Sequence, residues 1–242
     1  MSARVMLEPV ADTGVQRLWL DRADKANALD AQMVEALADA FAQVAAQPPR
    51  VLVIEGRGRN FCAGFDFTGF ESLAEGELLL RFVLIEQMLA ALRELPCVTV
   101  ACVRGGAFGA GADLAAACTF RLGLADARFR FPGLRFGLAL GTRSLTALIG
   151  QQAAREILLS GAVVDAERAL AVGLLSERLP GEDFAAAIES ISGRFGRLDA
   201  SSVGLALRNT SPRSADADLA DLVRSVIRPG IKARIAAYRA GG

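Results

Sequence analysis

Apolar and polar residues alternate with recognisable periods along the first part of the chain. The runs RVMLEPV and VQRLWLD flank a turn signal at Asp12-Thr13-Gly14 and predict an opening hairpin. Asp30 then offers a helix N-cap. The apolar residues that follow lie at helical spacing, at Met33, Leu37, Phe41 and Val44. The spacing predicts an amphipathic helix over residues 31–46, before Pro48-Pro49.

Strand, turn and helix signals then alternate as far as about residue 135. VLVIEG is a continuous apolar run, which is typical of a strand buried on both faces. A predicted helix near Gly76 to Leu95 stops at Pro96 and leads to a second buried strand, CVTVACV. A glycine-rich turn then opens the helix GADLAAACT, and FRLGLA and ARFRF are further strand candidates. This alternation predicts an α/β core.

From Leu138 onward the pattern indicates an almost entirely helical segment. Gly161 is a predicted helix C-cap, Gly173 ends the next helix, and amphipathic stretches continue through Tyr238. No linker composition separates this part from the core. We therefore predict a core over residues 1–190 and a helical C-terminal region over 191–242 that packs on the core or on a neighbouring subunit.

Charge and composition narrow the classes of partner and chemistry. The 242 residues are 52% hydrophobic, and 27 basic residues balance 27 acidic ones. A neutral protein has no global field that attracts nucleic acid or an anionic membrane. The N-terminus does not resemble a secretory signal, and the segment LLLRFVLIEQMLAAL contains charges that argue against a membrane span. We expect a cytoplasmic protein.

Histidine is absent from the sequence, which removes several kinds of active site. Catalytic triads and zinc sites that need imidazole are excluded, and no metal site is predicted. The four cysteines, Cys62, Cys97, Cys102 and Cys118, lack CxxC spacing and lie among apolar or small residues. They are expected to be reduced and mostly buried. Acid or base catalysis then falls to Asp, Glu, Lys, Tyr or water.

Two glycine-rich turns carry the candidate chemistry. Gly56-x-Gly58 does not begin a dinucleotide-binding fingerprint, because the third glycine would fall at Phe61 and no helix starts there. No GKS or GKT follows any glycine-rich loop, which excludes a P-loop. Instead, Gly64 precedes Phe65 in a tight turn, where a glycine can aim the next amide outward.

The second turn supplies free amides in another way. Gly105, Gly106, Gly109 and Gly111 lie at a strand end and a helix start. First-turn N–H groups have no partner within the helix, and the helix dipole adds positive charge. Two such amides that converged on one point would stabilise a thioester oxygen as it became an enolate, by about 3 to 4 kcal/mol for each donor. The alternative is that both segments are ordinary turns, rich in glycine for packing.

Nearly the whole chain resembles the crotonase, or enoyl-CoA hydratase/isomerase, superfamily. The resemblance is carried by DRADKANALD, VLVIEGRGRNFCAGFDF, VTVACVRGGAFGAGADLAAACTFRLG, ARFRFPGLRFGLALGTRSLTALIG and AREILLSGAVVDAERALAVGLLSERLP. It implies an α/β fold, with a crotonase-like ββα spiral core and a helical C-terminal oligomerisation region. It also implies an acyl-CoA substrate, no cofactor beyond that thioester, and a homotrimer or dimer of trimers.

The resemblance also assigns roles to individual residues. It implies that the amide of Phe65 is the first oxyanion donor and that of Ala110, which replaces a usual glycine, the second. The residues implied to lie beside the substrate or its CoA are Arg22, Lys25, Ala63, Gly64, Asp66, Phe67 and Gly109. Lys25 is also what an ordinary solvated loop would carry.

The family's acid/base positions are altered in this chain. Its hydratases use two glutamates, and the matching positions here hold Asp113 and Gly133. Hydration uses both groups, because water must lose a proton at one carbon while a proton is handled near the other. Efficient hydration of a simple enoyl-CoA is therefore not expected. The family's double-bond isomerases generally depend on an acid at the second position, so Gly133 counts against that reaction as well. Dienoyl isomerases carry an aspartate matching Asp113, but their later acidic residue falls at Gly141.

Asp113 is therefore the predicted catalytic residue, as a base for an acyl α-proton or a water. Its alternative role is to hydrogen-bond a turn or to pair with an arginine, for which Arg130, Arg135 and Arg143 are candidates. Glu71, Glu75 or Glu77 could replace the missing acid. Three hypotheses follow: an acyl-CoA-processing enzyme (a lyase or isomerase), a catalytically silent acyl-CoA-binding protein or partner subunit, and a structural scaffold.

Overall fold

The computed structural model describes residues 4–195, 198–211 and 215–241. Its strands are β1 (Val5–Leu7), β2 (Val15–Leu20), β3 (Val51–Gly56), β4 (Val98–Val103), β5 (Gly106–Phe108), β6 (Phe120–Gly123), β7 (Arg128–Arg130), β8 (Val164–Asp165) and β9 (Glu177–Arg178). Six of them form one sheet in the order β1-β2-β3-β4-β6-β9, and β5-β7-β8 form a second, smaller sheet. The predicted hairpin is confirmed, because β1 pairs with β2 antiparallel.

The centre of the larger sheet is parallel and buried. Every residue of β3 and β4 is buried, as their continuous apolar runs predicted. β3 pairs in parallel with β2 on one side and β4 on the other. Parallel strands that are covered on both faces need no polar residues to face water. The carboxyl ends of β3 and β4 lead directly into the two glycine-rich turns.

Helices cover the sheets and fill the C-terminal part. They are α1 (Ala31–Ala46), α2 (Glu75–Arg93), α3 (Ala110–Ala116), α4 (Thr142–Ile149), α5 (Gln151–Ser160), α6 (Ala166–Ala171), α7 (Ala185–Arg194), α8 (Ala200–Thr210), α9 (Ala215–Val226) and α10 (Ile231–Gly241). The N-cap prediction is confirmed, since Asp30 accepts a hydrogen bond from the Met33 amide at 2.8 Å. Gly161 ends α5 with left-handed backbone, as predicted.

The expectation of an almost entirely helical segment after Leu138 is wrong in two places. β8 adds antiparallel to β7, and β9 adds parallel to β6. Both strands are only two residues long, so their partners in the sheet determine them and no local pattern reveals them. Helix α7 runs across residue 190, and the boundary placed there stays a prediction. Residues 1–3, 196–197, 212–214 and 242, which the two predicted regions include, lie outside the described residues.

The helical C-terminal region packs on the core of its own chain. α9 packs on α2, and α10 packs on a short 3-10 helix, Gly133–Phe136. Arg234 of α10 donates a hydrogen bond to the carbonyl of Phe136 at 2.8 Å. All four cysteines are free and buried, as expected. Within the described part of the chain, no helix is long and apolar enough to cross a membrane.

Candidate functional site

A cavity of about 250 Å³ lies between the two glycine-rich turns, α2, the 3-10 helix Gly133–Phe136 and α10. Its wall is mostly apolar and includes seven aromatic residues, Phe65, Phe67, Phe82, Phe108, Phe131, Phe136 and Tyr238. The rings of Phe65 and Phe82 lie 4.6 Å apart, and those of Phe136 and Tyr238 lie 5.2 Å apart. Such a wall favours an apolar ligand held against a few polar groups.

The first glycine-rich turn presents one of those polar groups. Gly64 has φ +81°, a conformation that favours glycine. Its carbonyl accepts from the Leu29 amide at 2.7 Å, and the Asp66 amide donates back to Leu29 at 3.1 Å. The Phe65 amide lies between these two hydrogen bonds. Among the described residues, this N–H has no hydrogen-bond acceptor.

The second turn presents another amide at the start of α3. Gly109 precedes the helix with φ +51°, and its carbonyl accepts from the Ala112 and Asp113 amides. Ala110 is the first residue of the helix, so its N–H has no partner within it. The described part of the chain offers this amide no other acceptor.

The two turns are in direct contact. A Cβ atom placed on Gly64 would lie 2.3 Å from the Phe108 carbonyl oxygen and 3.1 Å from the Ala110 nitrogen. The Phe108 amide donates to the Cys62 carbonyl at 2.9 Å, which joins the two segments by backbone pairing. Phe65 and Ala110 both line the cavity. Two residues whose amides have no acceptor among the described residues therefore line the same cavity, one from each turn.

Asp113 is a buried carboxyl group in the wall of this cavity. It is 7% exposed, and within the described residues it makes no side-chain hydrogen bond or ion pair. Burial raises its pKa well above the usual value; the negative charge of Glu86 adds to the rise, and Arg93 opposes it. A buried carboxyl group with a raised pKa in the wall of a cavity is a candidate for acid/base catalysis.

The alternative role of Asp113 was to hydrogen-bond a turn or to pair with an arginine, and the described residues show neither contact. Arg130 lines the cavity but donates to the Gly161 carbonyl at 2.9 Å. Arg135 donates to the Ser160 carbonyl, and Arg143 pairs with Asp221. None of these three arginines holds Asp113.

The two glycines at the remaining acidic positions of the family leave no room for a side chain. Gly133 lines the cavity, and a Cβ there would lie 2.8 Å from the Leu138 carbonyl oxygen. Gly141 has φ +62°, and a Cβ there would lie 2.2 Å from Oδ1 of Asp113. Asp113 thus occupies the space beside Gly141. The glutamates suggested as replacements do not line the cavity, and Glu77 instead accepts from the Ala74 amide at 2.7 Å.

The predicted CoA neighbours divide into two groups. Ala63, Phe67 and Gly109 line the cavity, whereas Arg22, Lys25, Gly64 and Asp66 lie outside its lining. Arg22 and Asp66 form a buried ion pair with a 2.6 Å contact that ties the chain before α1 to the first turn. Burial alone would raise the pKa of Asp66, but hydrogen bonds from Thr68 and Arg22 lower it to about 2. Lys25 is exposed. The binding role of these residues stays a prediction.

Several cavity residues were not foreseen from the sequence. Phe82 lies at an apolar position of α2, where the pattern indicates core packing and gives no sign of a site. Tyr238 reaches the cavity from the last helix, whereas Val163 is the next lining residue before it along the chain. Within the described residues, no group of His, Cys, Asp and Glu side chains could hold a metal ion.

Comparison with known proteins agrees with this arrangement. The sequence profile of the enoyl-CoA hydratase/isomerase family matches residues 11–195. An enoyl-CoA isomerase/hydratase of Mycosarcoma maydis is 32% identical over 74% of this chain and 72% of its own. A protein of Mycobacterium tuberculosis described as a probable enoyl-CoA hydratase is 37% identical over 66% of this chain and 65% of its own. A crystal structure described as an enoyl-CoA hydratase/isomerase of Bordetella parapertussis superimposes with a TM-score of 0.94, at 40% identity and 99% coverage of both chains.

Proposed function

The chain belongs to the enoyl-CoA hydratase/isomerase family, and from that premise we propose that it moves a proton within the acyl group of an acyl-CoA thioester. The amides of Phe65 and Ala110 form the oxyanion hole, and Asp113 is the acid/base group. One observation carries the proposal: Phe65, Ala110 and Asp113 line the same cavity, and within the described residues the two amides have no acceptor and the carboxyl group has no hydrogen-bond partner. No cofactor beyond the thioester is needed.

The proposed reaction is a double-bond shift through an enolate. The Asp113 carboxylate takes a proton from the carbon next to the thioester, and the electron pair moves onto the thioester oxygen. That oxygen then accepts hydrogen bonds from the Phe65 and Ala110 amides, each worth about 3 to 4 kcal/mol. Asp113 returns the proton to the γ-carbon, and the double bond moves by one position. The same carboxyl group serves in both steps.

Hydration is less well supported by this site. It needs a second group to position and deprotonate water, and the family's second glutamate is Gly133 here. The Leu138 carbonyl closes the space where its side chain would begin. The aromatic wall favours an apolar acyl group over one that carries charge. We therefore propose an isomerase-type enzyme that is not an efficient standard hydratase.

A panel of acyl-CoA esters with Asp113→Asn tests the proposal. Conversion of β,γ-enoyl-CoA to α,β-enoyl-CoA is measured beside hydration of α,β-enoyl-CoA and turnover of dienoyl-CoA. Asp113→Asn is expected to lower isomerisation about 10²- to 10⁴-fold and to leave acyl-CoA affinity nearly unchanged. Asp126→Asn, an exposed aspartate in a turn, is the matched control.

The outcomes separate the hypotheses. Full activity in Asp113→Asn would remove Asp113 from the mechanism. Tight acyl-CoA binding without turnover of any ester would instead indicate a catalytically silent acyl-CoA-binding protein or partner subunit. Failure to bind any CoA ester would favour a structural scaffold.

We also propose the homotrimer or dimer of trimers that the family resemblance implies. Large apolar side chains remain exposed in the single chain, with Leu159 78% and Ile227 62% exposed, and an assembly could cover them. Light scattering tests this, and a monomer at micromolar concentration would contradict it.

A further inference from the structure

A second carboxyl group lies behind the one that faces the cavity. Glu86 belongs to α2, is 1% exposed and does not line the cavity. Its Oε1 accepts a hydrogen bond from Nη2 of Arg93 at 2.8 Å. Its Oε2 is buried and has no hydrogen-bond partner among the described residues. Buried acceptors without partners are rare, and they often mark sites of function.

The surroundings of Glu86 connect it to Asp113. Its negative charge raises the pKa of Asp113, and the negative charge of Asp218 in turn raises that of Glu86, after the larger effect of burial in both cases. The positive charge of Arg93 lowers the pKa of both Glu86 and Asp113. Oδ1 of Asp218 lies 3.6 Å from Nε of Arg143, so the negative charge of Asp218 is compensated.

Gly141, the residue before α4, lies beside both carboxyl groups. A Cβ there would lie 2.2 Å from Oδ1 of Asp113, and the Gly141 amide lowers the pKa of Glu86. Glu86 has a cation that favours its ionised form. Arg93 forms its ion pair with Glu86, and within the described residues Asp113 has no ion pair. Two buried carboxyl groups that interact electrostatically resist ionising together, so one proton settles on the member without an ion pair.

Building on the proposed function, we propose that Glu86, fixed by Arg93, is a positioning residue that holds the proton on Asp113 in the resting enzyme. The pair then carries one proton and one negative charge. Asp113 must lose its proton to solvent before it can take one from the substrate carbon. The rate of isomerisation therefore rises with pH as Asp113 ionises, and Glu86 sets the pH at which this happens.

Glu86→Gln tests the proposal, with Glu94→Gln as the matched control. Glutamine keeps an oxygen that can accept from Arg93 but removes the charge. Glu94 caps the same helix and is exposed, so its replacement removes a charge far from the cavity. The acidic limb of the kcat/KM profile, which reports ionisation of the free enzyme, is expected to move to lower pH in Glu86→Gln, because the charge that raises the pKa of Asp113 is removed. The control keeps the profile of the unaltered protein.

A titration that does not depend on turnover separates this inference from the proposed function. Protein labelled with ¹³C at the Asp and Glu carboxyl carbons is titrated by NMR, and Asp113→Asn assigns the Asp113 signal. The Asp113 midpoint is expected to fall in Glu86→Gln and to stay fixed in Glu94→Gln. A folded Glu86→Gln protein with an unchanged midpoint would overturn the proposal. A shifted midpoint without turnover of any ester would support the proton sharing and defeat the proposed function.

The unaltered protein provides a further check should Glu86→Gln fail to fold. Its Glu86 signal, assigned by selective labelling, is expected to show the ionised form at pH values where Asp113 is still protonated. The reverse order of ionisation would overturn the proposal.

Discussion

Replacing Gly64 with alanine perturbs the contact that brings the two amides together. The added Cβ would lie 2.3 Å from the Phe108 carbonyl oxygen, about 1 Å closer than the 3.4 Å at which ordinary contact begins. That oxygen belongs to rigid backbone, so the two turns must separate by about that distance. The φ of +81° adds backbone strain of about 1 to 3 kcal/mol for a residue other than glycine.

The expected effect on activity follows from the displacement. A shift of about 1 Å in a positioned group costs about 100-fold in rate. We expect kcat/KM for β,γ-enoyl-CoA isomerisation to fall by about this factor in Gly64→Ala. The strain should lower the thermal midpoint by about 2 to 4 °C for each kcal/mol in a chain of this size.

Gly76→Ala is the control for this variant. Gly76 lies in α2 with no atom within 4 Å of an added Cβ, so alanine there should keep activity and stabilise slightly. The assay is kcat/KM on purified protein, with thermal unfolding of all three proteins. Wild-type kcat/KM in a folded Gly64→Ala protein would refute the role of the joined turns.

Three further predictions concern charge and space in and near the site. Gly133→Glu should not restore hydration of α,β-enoyl-CoA, because its Cβ meets the Leu138 carbonyl oxygen at 2.8 Å; a 100-fold gain in the hydration assay would contradict this. At pH values above about 4, Asp113→Asn should have a higher thermal midpoint than the unaltered protein, because the raised pKa of Asp113 means that its ionisation opposes folding. A difference between the two proteins that is the same at pH 4 and pH 8 would count against this prediction. Asp66→Asn should lower stability at neutral pH by removing the 2.6 Å ion pair with Arg22. Arg22 keeps its 3.4 Å contact with Asp30, so the loss should stay below the roughly 3 to 5 kcal/mol of a fully broken buried pair. Because the Asp66 pKa is lowered to about 2, that loss should shrink as pH falls from about 4 towards 2, which denaturation at several pH values would check.

Local signals predicted the elements that frame the site. The buried runs of β3 and β4, the Asp30 cap and the glycine turns each depend on short-range chemistry that the sequence displays. Gly64 and Gly109 have positive φ angles, which favour glycine and explain why glycine at these positions predicted turns. The family resemblance then assigned roles to Phe65, Ala110 and Asp113. Those roles stay predictions until they are tested.

Features set by distant contacts could not be predicted in this way. The two-residue strands β8 and β9 exist only because of their partners in the sheets. In the sequence, Glu86 is a charged residue that interrupts an apolar helical segment. Only the folded structure shows that its Oε2 is buried and that its charge raises the pKa of Asp113. The ion pair of Arg22 with Asp66 inside the fold was likewise not predicted from the sequence, and the predicted CoA contact of Arg22 stays a prediction.

The most direct test of the account is a crystal structure of Asp113→Asn with a bound β,γ-enoyl-CoA, which the variant should turn over slowly. The account predicts that the thioester oxygen lies within about 3.2 Å of both the Phe65 and the Ala110 nitrogen, with the acyl chain in the aromatic cavity. A thioester oxygen that contacts neither amide, or an acyl chain bound outside this cavity, would contradict it.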